Sequence, residues 1–339
     1  MPGARMAAEM AEQPAVLARL IARADAIAAA VRELAPQPLH GSTIVARGSS
    51  DHASVYGRYL LELASGRPVS LAAPSLHLLY DAQVDYTGQL AVAVSQSGAT
   101  PEIVATLARL GAAGARTLAI TNDGASALAS GADGVVALAA GAELAVPATK
   151  TVTAQLLAFG LIARALGPVP FSDEELHALP AAVAAVLEDP EPARAAAALL
   201  ADDTRMVVTA RGLLYGAALE SALKLQETAA IAADGSSSAD LRHGPITIVE
   251  AGFPVLALSA GDGPAAADVA ELTGLLRERG ARVLTLATAA GADLPLPAVT
   301  EGLAPIVAVV RAQQLAFELA LLRGRDPDAP ANLSKVTAT

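Results

Sequence analysis

One stretch of the chain, residues 220–245, carries side chains that could move protons. Glu220, Lys224 and Glu227 are spaced four and three residues apart, which places them on one face of a helix. A Gly/Ser-rich segment follows, which we predict to be a loop, and His243 closes the stretch. A carboxylate, an ammonium and an imidazole can act as general acids and bases on a small substrate. The same spacing also fits a solvated helix face with ordinary ion pairs, so this stretch alone does not decide between the two.

A second candidate, residues 95–100, has the composition of a phosphate-binding turn. It follows an apolar run at 90–94, which is typical of a buried parallel strand, and precedes a helix that we predict to begin at Pro101. Hydroxyl groups, a small glycine and free helix N–H groups can hold a phosphate without a lysine. An ordinary helix cap is the alternative, but it accounts for only one of four polar side chains. The predicted ligands are Ser95, Gln96, Ser97 and Thr100.

A third polar turn, GSSDH at 48–52, could add hydroxyls from Ser49 and Ser50 to the same site, or could simply cap a helix. The remaining histidines show no metal-ligand spacing, and the acidic residues form no Mg²⁺ or Ca²⁺ loop. The sequence therefore predicts no metal site.

Composition excludes several classes of function. The 339 residues include no cysteine, which removes disulfides, thiolate metal sites and thiol nucleophiles. A net charge of −11 and an aromatic content of 3% argue against a nucleic-acid partner. No uncharged apolar run is long enough to span a membrane and no signal-peptide pattern opens the chain, so we expect a cytoplasmic protein without a membrane partner.

Internal repeats organise the chain into two halves. The same number of residues separates Arg47 from Ser95 and Arg211 from Ser259. Two further pairs recur in the same order: GARTLAIT with GARVLTLAT, and AQLLAF with AQQLAF. We infer a duplication in which each half alternates strands and helices, giving a parallel sheet with helices on both faces. The second copy of the phosphate turn, SAGDGP, loses the hydroxyls and gains Asp262, so we expect only the first copy to bind phosphate.

Local signals add three expectations. Residues 5–34 should form one or two helices, because they are rich in Ala, Leu, Arg and Glu and end before Pro36. Ser172 and Glu175 have the spacing of a capping box at the start of a helix. By composition alone, Lys335 would be an ordinary solvated lysine in a polar tail.

Six motifs occur in the order found in the sugar isomerase (SIS) family: RGSSDHA, SQSGAT, AVPATKTVTAQ, ESALKLQET, LRHGP and DPDAPANLSKVT. Across residues 40–339 the chain resembles members with two SIS domains. The most similar patterns are the isomerase half of glutamine–fructose-6-phosphate aminotransferase and the SIS-type glucosamine-6-phosphate deaminases. The resemblance implies an α/β fold of two tandem SIS domains, each a parallel β-sheet flanked by helices in three layers. The implied segments are an N-terminal helical segment (1–40), a first SIS domain (41–170), a helical linker (171–201), a second SIS domain (202–323) and a tail with the active-site lysine (324–339).

The resemblance also implies an activity, namely the reversible conversion of glucosamine 6-phosphate into fructose 6-phosphate and ammonia without a metal or organic cofactor. Glu227 would carry the proton between C1 and C2, and His243, contributed by the partner subunit of a homodimer, would open the sugar ring. Lys335 would reach the open-chain carbonyl, either as a Schiff base or only to orient it, and Lys224 would support the site. The phosphosugar would be held by Ser49, Ser50, Ser95, Gln96, Ser97, Thr100 and the backbone near Val146.

The chain departs from the aminotransferase pattern in several places. It has no cysteine for glutamine hydrolysis, and Ala148 stands where a serine near the phosphate is usual, so we expect that contact to be lost or moved. DGSSSADLRHGP before His243 and a C-terminus one residue shorter after Lys335 are both similar to the deaminases. Galactosamine 6-phosphate isomerisation and fructosamine 6-phosphate deglycation stay open as alternatives, as does a phosphosugar-binding regulatory protein without turnover. The presence of Glu227, His243 and Lys335 favours an enzyme, since a sensor needs only the phosphate loop.

Overall fold

The computed structural model describes residues 2–261 and 263–335, and these divide into two compact units. The first-sheet unit comprises Val16–Glu143 and Lys150–Val169. The second-sheet unit comprises residues 2–15, Leu144–Thr149 and Pro170–Lys335. Each unit contains one five-stranded sheet whose neighbouring strands all pair in parallel.

In the first-sheet unit the strand order is β2-β1-β3-β4-β5. The central strands are buried almost throughout, which explains why they appear in the sequence as continuous apolar runs and not as alternating patterns. The strands are β1 (Gly41–Val45), β2 (Val69–Leu71), β3 (Gln89–Val94), β4 (Arg116–Thr121) and β5 (Gly134–Ala137). The helices are α2 (Gln13–Ile21, which begins before this unit), α3 (Ala24–Leu34), α4 (Ser49–Ser65), α5 (Pro74–Leu78), α6 (Pro101–Ala112), α7 (Ala127–Ser130) and α8 (Lys150–Leu166).

In the second-sheet unit the strand order is β10-β9-β8-β6-β7. The strands are β6 (Arg205–Ala210), β7 (Ala232–Ser237), β8 (Pro254–Ser259), β9 (Arg282–Ala287) and β10 (Leu294–Pro295). The helices are α1 (Ala4–Ala11), α9 (Asp173–Glu188), α10 (Glu191–Leu199), α11 (Tyr215–Ala229), α12 (Ser238–Arg242), α13 (Ala266–Glu278) and α14 (Ala304–Leu322).

The two sheets repeat the same topology, as the sequence repeats predict. Numbered from the first strand of each unit, both sheets have the order second, first, third, fourth, fifth. A side-chain motif is also repeated between the last two strands of each sheet. The N–H and hydroxyl of Thr117 donate to the Asp133 carboxylate, and those of Thr285 donate to Asp293 in the same way. The prediction of two parallel sheets flanked by helices is confirmed.

Two local predictions were wrong. Residues 4–34 form three helices, α1 to α3, where one or two were expected. The Gly/Ser-rich segment after α11 is the edge strand β7, not a loop, and it pairs with β6 from Arg205↔Ala232 to Ala210↔Ser237. Packing accounts for the strand, because a Cβ atom on Gly235 would lie 2.9 Å from the Leu219 Cα atom of α11. Small residues let the helix approach the strand, and this tertiary contact outweighs their weak strand propensity.

Two helices illustrate how local chemistry and burial agree with the fold. The predicted capping box of α9 is present, since the Ser172 hydroxyl accepts from the Glu175 N–H and the Glu175 carboxylate accepts from the Ser172 N–H. Among the residues described, α14 is the one helix long and apolar enough to cross a membrane, but 78% of its most apolar window is buried. That burial is typical of the core helix of a globular unit.

Candidate functional site

The loop at residues 95–100 connects the carboxyl end of β3 to the first turn of α6. Thr100 occupies the N-cap position, yet its side chain makes no capping bond. Its hydroxyl lies 3.3 Å from the Ser95 Oγ atom instead. Ser95 also accepts from the Gly98 N–H, so hydroxyls and amides of the loop are held close to one another. The ordinary-cap interpretation of Thr100 is therefore wrong, and the loop has the polar groups of an anion cradle.

Gly98 fixes the shape of this loop. Its φ of 61° lies in the left-handed region that favours glycine. A Cβ atom at this position would come within 2.5 Å of the Ser126 Cβ atom and 2.8 Å of the Thr121 Oγ1 atom. The Gly98 carbonyl accepts from the Leu128 N–H, and the Gln96 carbonyl accepts from the Asn122 N–H. The loop is thus seated on the segment that follows β4.

A carboxylate in the first turn of α6 is neutralised by an arginine that follows β1. The Arg47 Nε and Nη2 atoms lie 2.8 and 3.0 Å from the two carboxylate oxygens of Glu102. A bidentate pair of this kind fixes both groups more firmly than a single contact does. Arg47 therefore offsets a negative charge that would otherwise repel an anion at the start of α6.

The second predicted serine turn begins α4, at the carboxyl end of the neighbouring strand β1. Gly48 is the N-cap residue, so neither Ser49 nor Ser50 is the plain N-cap that we considered as an alternative. Ser49 is half-buried and Ser50 is buried. Because β1 and β3 are adjacent and parallel, both serine turns lie at the same edge of the sheet. Burial raises the pKa of the neighbouring Asp51, with His52 and Arg47 acting in the opposite direction.

The corresponding edge of the second sheet has a different chemistry. A Cβ atom on Gly263 would lie 2.6 Å from the Glu301 Cδ atom, so that carboxylate lies against the repeated turn. Asp262, which we expected to repel phosphate there, lies outside the described residues. A carboxylate at this turn is unfavourable to an anion. That only the first copy binds phosphate stays a prediction.

Glu220, Lys224 and Glu227 form a linear cluster on α11. The Lys224 Nζ atom lies 3.4 Å from Glu220 and is also hydrogen-bonded to Glu227. The side chains of Lys224 and Glu220 are 1% and 2% exposed, whereas that of Glu227 is 17% exposed. A solvated face with ordinary ion pairs is therefore wrong for this helix. Burial of an ammonium between two carboxylates is costly unless the geometry is fixed, and such clusters occur where chemistry needs them.

Glu227 opens onto a pocket of about 340 Å³ in the second-sheet unit. The pocket is lined by the end of α11, by Arg325 and Asp326, and by residues 329–332. One carboxylate edge of Glu227 is anchored to Lys224, and the side chain is accessible from the pocket. A carboxylate anchored in this way next to a small pocket can accept and return a proton.

Lys335 and Val146 lie together in the second-sheet unit. The Lys335 Nζ atom donates to the Ala145 carbonyl over 2.7 Å, and the Val146 N–H donates to the Asp328 carbonyl over 3.0 Å. The expectation that Lys335 is an ordinary solvated lysine is therefore wrong, because it is half-buried and hydrogen-bonded to a backbone segment almost 200 residues away. Because the Val146 N–H already donates to Asp328, only the Val146 carbonyl is left as a backbone group that could contact a ligand.

His243 is exposed at the C-cap of α12. Neither His243 nor Lys335 lines the pocket beside Glu227. The predicted residues thus fall into separate groups, with the serine-rich turns in the first-sheet unit and Lys224, Glu227, His243, Lys335 and Val146 in the second-sheet unit. Their assignment to one site stays a prediction.

Sequence reasoning missed several residues that hold these groups in place. Ser126 and Asn122 support the 95–100 loop from the chain after β4. Glu9 contacts the backbone at 144–145, which Lys335 also contacts. No local signal marks these residues, because each acts through a partner far along the chain. Within residues 2–261 and 263–335, no group of three His, Cys, Asp or Glu side chains is placed to hold a metal ion.

Comparison with known proteins assigns the chain to a family. The family model described as "SIS domain" matches residues 43–165 and 199–323. Glutamine–fructose-6-phosphate aminotransferase (isomerizing) from Methanothermobacter thermautotrophicus is 32% identical to this chain over an alignment of 339 positions. The alignment covers 97% of this chain and 56% of that protein. The chain thus spans about half the length of the curated relatives that it matches.

Two solved structures share the fold over nearly the whole chain. A protein from Silicibacter pomeroyi DSS-3, provisionally assigned as a phosphosugar isomerase, has a TM-score of 0.82 and 34% identity, covering 97% of this chain and 100% of that chain. Glucosamine-6-phosphate deaminase from Thermotoga maritima has a TM-score of 0.80 and 22% identity, covering 99% of this chain and 100% of that chain. The second likeness concerns the fold alone.

Proposed function

Because this chain belongs to the SIS domain family, we propose that it is a phosphosugar isomerase that converts glucosamine 6-phosphate and water into fructose 6-phosphate and ammonia. The observation that carries the proposal is the Glu227 carboxylate, anchored by the buried Lys224 and open to a pocket. Aldose–ketose interconversion requires a carboxylate of this kind to take a proton from one carbon and return it to the next.

The proposed reaction begins with the phosphate group bound by the hydroxyls and amides of the 95–100 loop, with Ser49 and Ser50 assisting. His243 opens the sugar ring. Glu227 then removes the proton from C2 and delivers it to C1, while a second proton passes from the C2 amine to the C1 oxygen. The C1 aldehyde thus becomes a hydroxymethyl group and the C2 amine becomes an imine. Water adds to C2, ammonia leaves with the C–N bond electrons and a proton, and the C2 ketone of fructose 6-phosphate remains. Lys335 reaches the open-chain carbonyl, either as a Schiff base or only to orient it, and the backbone near Val146 assists in holding the sugar phosphate.

The deaminase direction is supported by the absence of cysteine, since a cysteine nucleophile is needed for the glutamine hydrolysis that would supply ammonia for synthesis. We propose that the chain exchanges ammonia directly and requires neither glutamine nor a cofactor.

The assay is incubation of the purified protein with glucosamine 6-phosphate, followed by measurement of both ammonia and fructose 6-phosphate. Equal amounts of the two products are expected. Galactosamine 6-phosphate and fructosamine 6-phosphate are run in parallel, because a faster reaction with either would reassign the substrate. Phosphosugar binding without any product would show a regulatory protein.

The role of Glu227 is tested by Glu227→Gln, which preserves the shape of the side chain but removes the base. Binding of fructose 6-phosphate should persist while turnover is lost. Glu278→Gln, an exposed substitution at the end of α13, is the matched control and should retain full turnover. Undiminished turnover in Glu227→Gln would remove this residue from the proposed proton transfer.

We further propose a cytoplasmic homodimer in which His243 acts on the substrate of the partner subunit. A phosphosugar is anionic and does not cross a bilayer unaided, so its enzymes act where it is made. Mixing Glu227→Gln with His243→Asn subunits should restore activity, because one of the two sites in each mixed dimer would then contain both functional groups. No restoration, with subunit exchange demonstrated by mass, would refute the sharing of His243.

A further inference from the structure

A buried carboxylate on the first helix of the chain is not used by the proposed chemistry. Glu9 of α1 is 4% exposed. Its carboxylate accepts hydrogen bonds from the N–H groups of Leu144 and Ala145. A carboxylate is rarely buried without such donors, because an unsolvated charge is costly. The interaction therefore fixes the backbone at 144–145.

The same short backbone segment holds Lys335. The carbonyl of Ala145 accepts from the Lys335 Nζ atom, and the peptide N–H on the other side of that carbonyl, from Val146, donates to the Asp328 carbonyl. Hydrogen bonds linked in this way through one peptide unit polarise and strengthen one another. The position of the Lys335 amine thus depends on where the 144–146 backbone lies, and Glu9 is the side chain that holds this backbone from its N-terminal side.

The helix that carries Glu9 is itself anchored to the tail that carries Lys335. The Asp328 carboxylate accepts from the N–H groups of Arg5 and Met6, and the Asp326 carboxylate accepts from the Gly3 N–H. These contacts place two carboxylates at the N-terminus of α1, where they satisfy otherwise unpaired N–H groups and favour the helix dipole. Helix, backbone segment and tail therefore form one connected structure.

The use of lysine in this chain is a second, independent observation. The sequence contains three lysines, Lys150, Lys224 and Lys335, among 23 basic residues. Arginine serves at every other basic position, so a positive charge alone does not require lysine here. Lysine differs from arginine in having a compact amine that can lose its proton and react with a carbonyl. A lysine at 335 therefore fits a role for the amine itself.

We propose that Glu9 is a positioning residue for Lys335, acting through the backbone at 144–145. The inference deepens the proposed function, on which it rests for the role of Lys335. In this role Glu9 acts indirectly: it holds the backbone of Ala145, whose carbonyl sets the place of the Lys335 amine.

The experiment compares Glu9→Gln with the exposed control Glu278→Gln. Glutamine keeps the size of the side chain but removes its charge, and it places an NH₂ group where the Ala145 N–H also contacts the second carboxylate oxygen, which weakens the hold on the 144–145 backbone. We expect kcat for glucosamine 6-phosphate to fall about 10- to 100-fold, as for other small misplacements of a reacting group. KM should change little, because the proposed phosphate ligands are not altered.

A direct readout of the Lys335 amine separates positioning from general destabilisation. Native protein is treated with formaldehyde and a mild borane, and methylation of each lysine is followed by mass spectrometry. Lys150 and Lys224 are at most 1% exposed, so the half-buried Lys335 should be the lysine that reacts. Its methylation should be faster in Glu9→Gln than in the control, since a weaker bond to the Ala145 carbonyl makes the amine more accessible to the reagent. Glu9→Asp keeps the charge but has a shorter side chain, so its rate of Lys335 methylation should lie between those of Glu9→Gln and Glu278→Gln. It replaces Glu9→Gln if that variant does not fold.

Equal Lys335 methylation and equal kcat in folded Glu9→Gln and Glu278→Gln would overturn the inference. If the unmodified protein releases no ammonia, the proposed function fails, but the methylation comparison still decides whether Glu9 positions Lys335. Faster methylation with normal kcat would also overturn it, since the amine's position would then not matter for turnover.

Discussion

Gly98 offers the sharpest test of the phosphate loop, through the substitution Gly98→Ala. The added methyl group would come within 2.5 Å of the Ser126 Cβ atom and 2.8 Å of Thr121 Oγ1. Its φ of 61° adds a backbone cost. An L-residue in the left-handed region is disfavoured by about 1–2 kcal/mol. Overpacking of a well-filled position adds about 1–3 kcal/mol.

The protein can respond in two ways, and both weaken the site. If the loop stays in place, the unit loses about 2–5 kcal/mol of stability. If the loop moves to relieve the contact, the hydroxyls and amides of Ser95, Ser97 and Thr100 no longer converge. Each 1.4 kcal/mol lost from binding is a tenfold loss of affinity, so we expect phosphate to bind at least about tenfold more weakly.

The assay is isothermal titration with inorganic phosphate and with fructose 6-phosphate, combined with the denaturant midpoint of the apo protein. Gly124→Ala is the matched control. Gly124 is exposed in the segment after β4, and an added Cβ atom there would lie more than 4 Å from every described heavy atom beyond Gly124 and its two chain neighbours. Equal affinity and equal midpoint in the two variants would refute the argument that Gly98 shapes the loop.

Two further predictions concern charge in the first-sheet unit. Arg47→Gln should weaken phosphate binding about two- to fivefold, because the Glu102 carboxylate would then repel the anion. Glu102→Gln should not weaken binding, and the double variant should bind phosphate with close to the unmodified affinity. Equally weak binding in Arg47→Gln and the double variant would contradict this. The Thr117 N–H and hydroxyl hold the pKa of the Asp133 carboxyl below its ordinary value of 3.8, with Arg116 contributing. The ionised Asp133 therefore stabilises the folded protein above pH 3.8, and this contribution is lost as the pH falls through the lowered pKa. The difference in denaturant midpoint between the unmodified protein and Asp133→Asn should accordingly shrink on acidification, and a constant difference would contradict the assignment.

The parts of the fold that could be predicted from the sequence are those governed by local pattern. The continuous apolar run before Ser95 identifies β3, because a parallel strand buried on both faces has no polar alternation. Pro101 marks the start of α6 for an equally local reason. The repeated motifs predicted that the second half of the chain forms a sheet like that of the first half, since a duplicated sequence folds into a duplicated topology.

The parts that could not be predicted depend on contacts between distant residues. β7 is made of residues that disfavour strands, and only the close approach of α11 to Gly235 explains it. Arg47 and Glu102 are 55 residues apart, so nothing in either neighbourhood indicates their pairing. Lys335 looked like a solvated tail residue because its partner, the Ala145 carbonyl, is 190 residues earlier. Long-range pairs of this kind leave no periodic trace in a sequence.

The capping of α1 by Asp326 and Asp328 has a consequence for the order in which the protein folds. Gly3 and Asp326 are separated by 323 residues, so the cap cannot form until nearly all of this chain has been synthesised. Contacts of such high sequence separation close late, after the more local sheet and helix contacts have formed. Helix α1 is thus secured late in folding, although its residues come more than 300 positions before the carboxylates that cap it, and the tail that carries the proposed substrate-contacting lysine is fixed in the same late step.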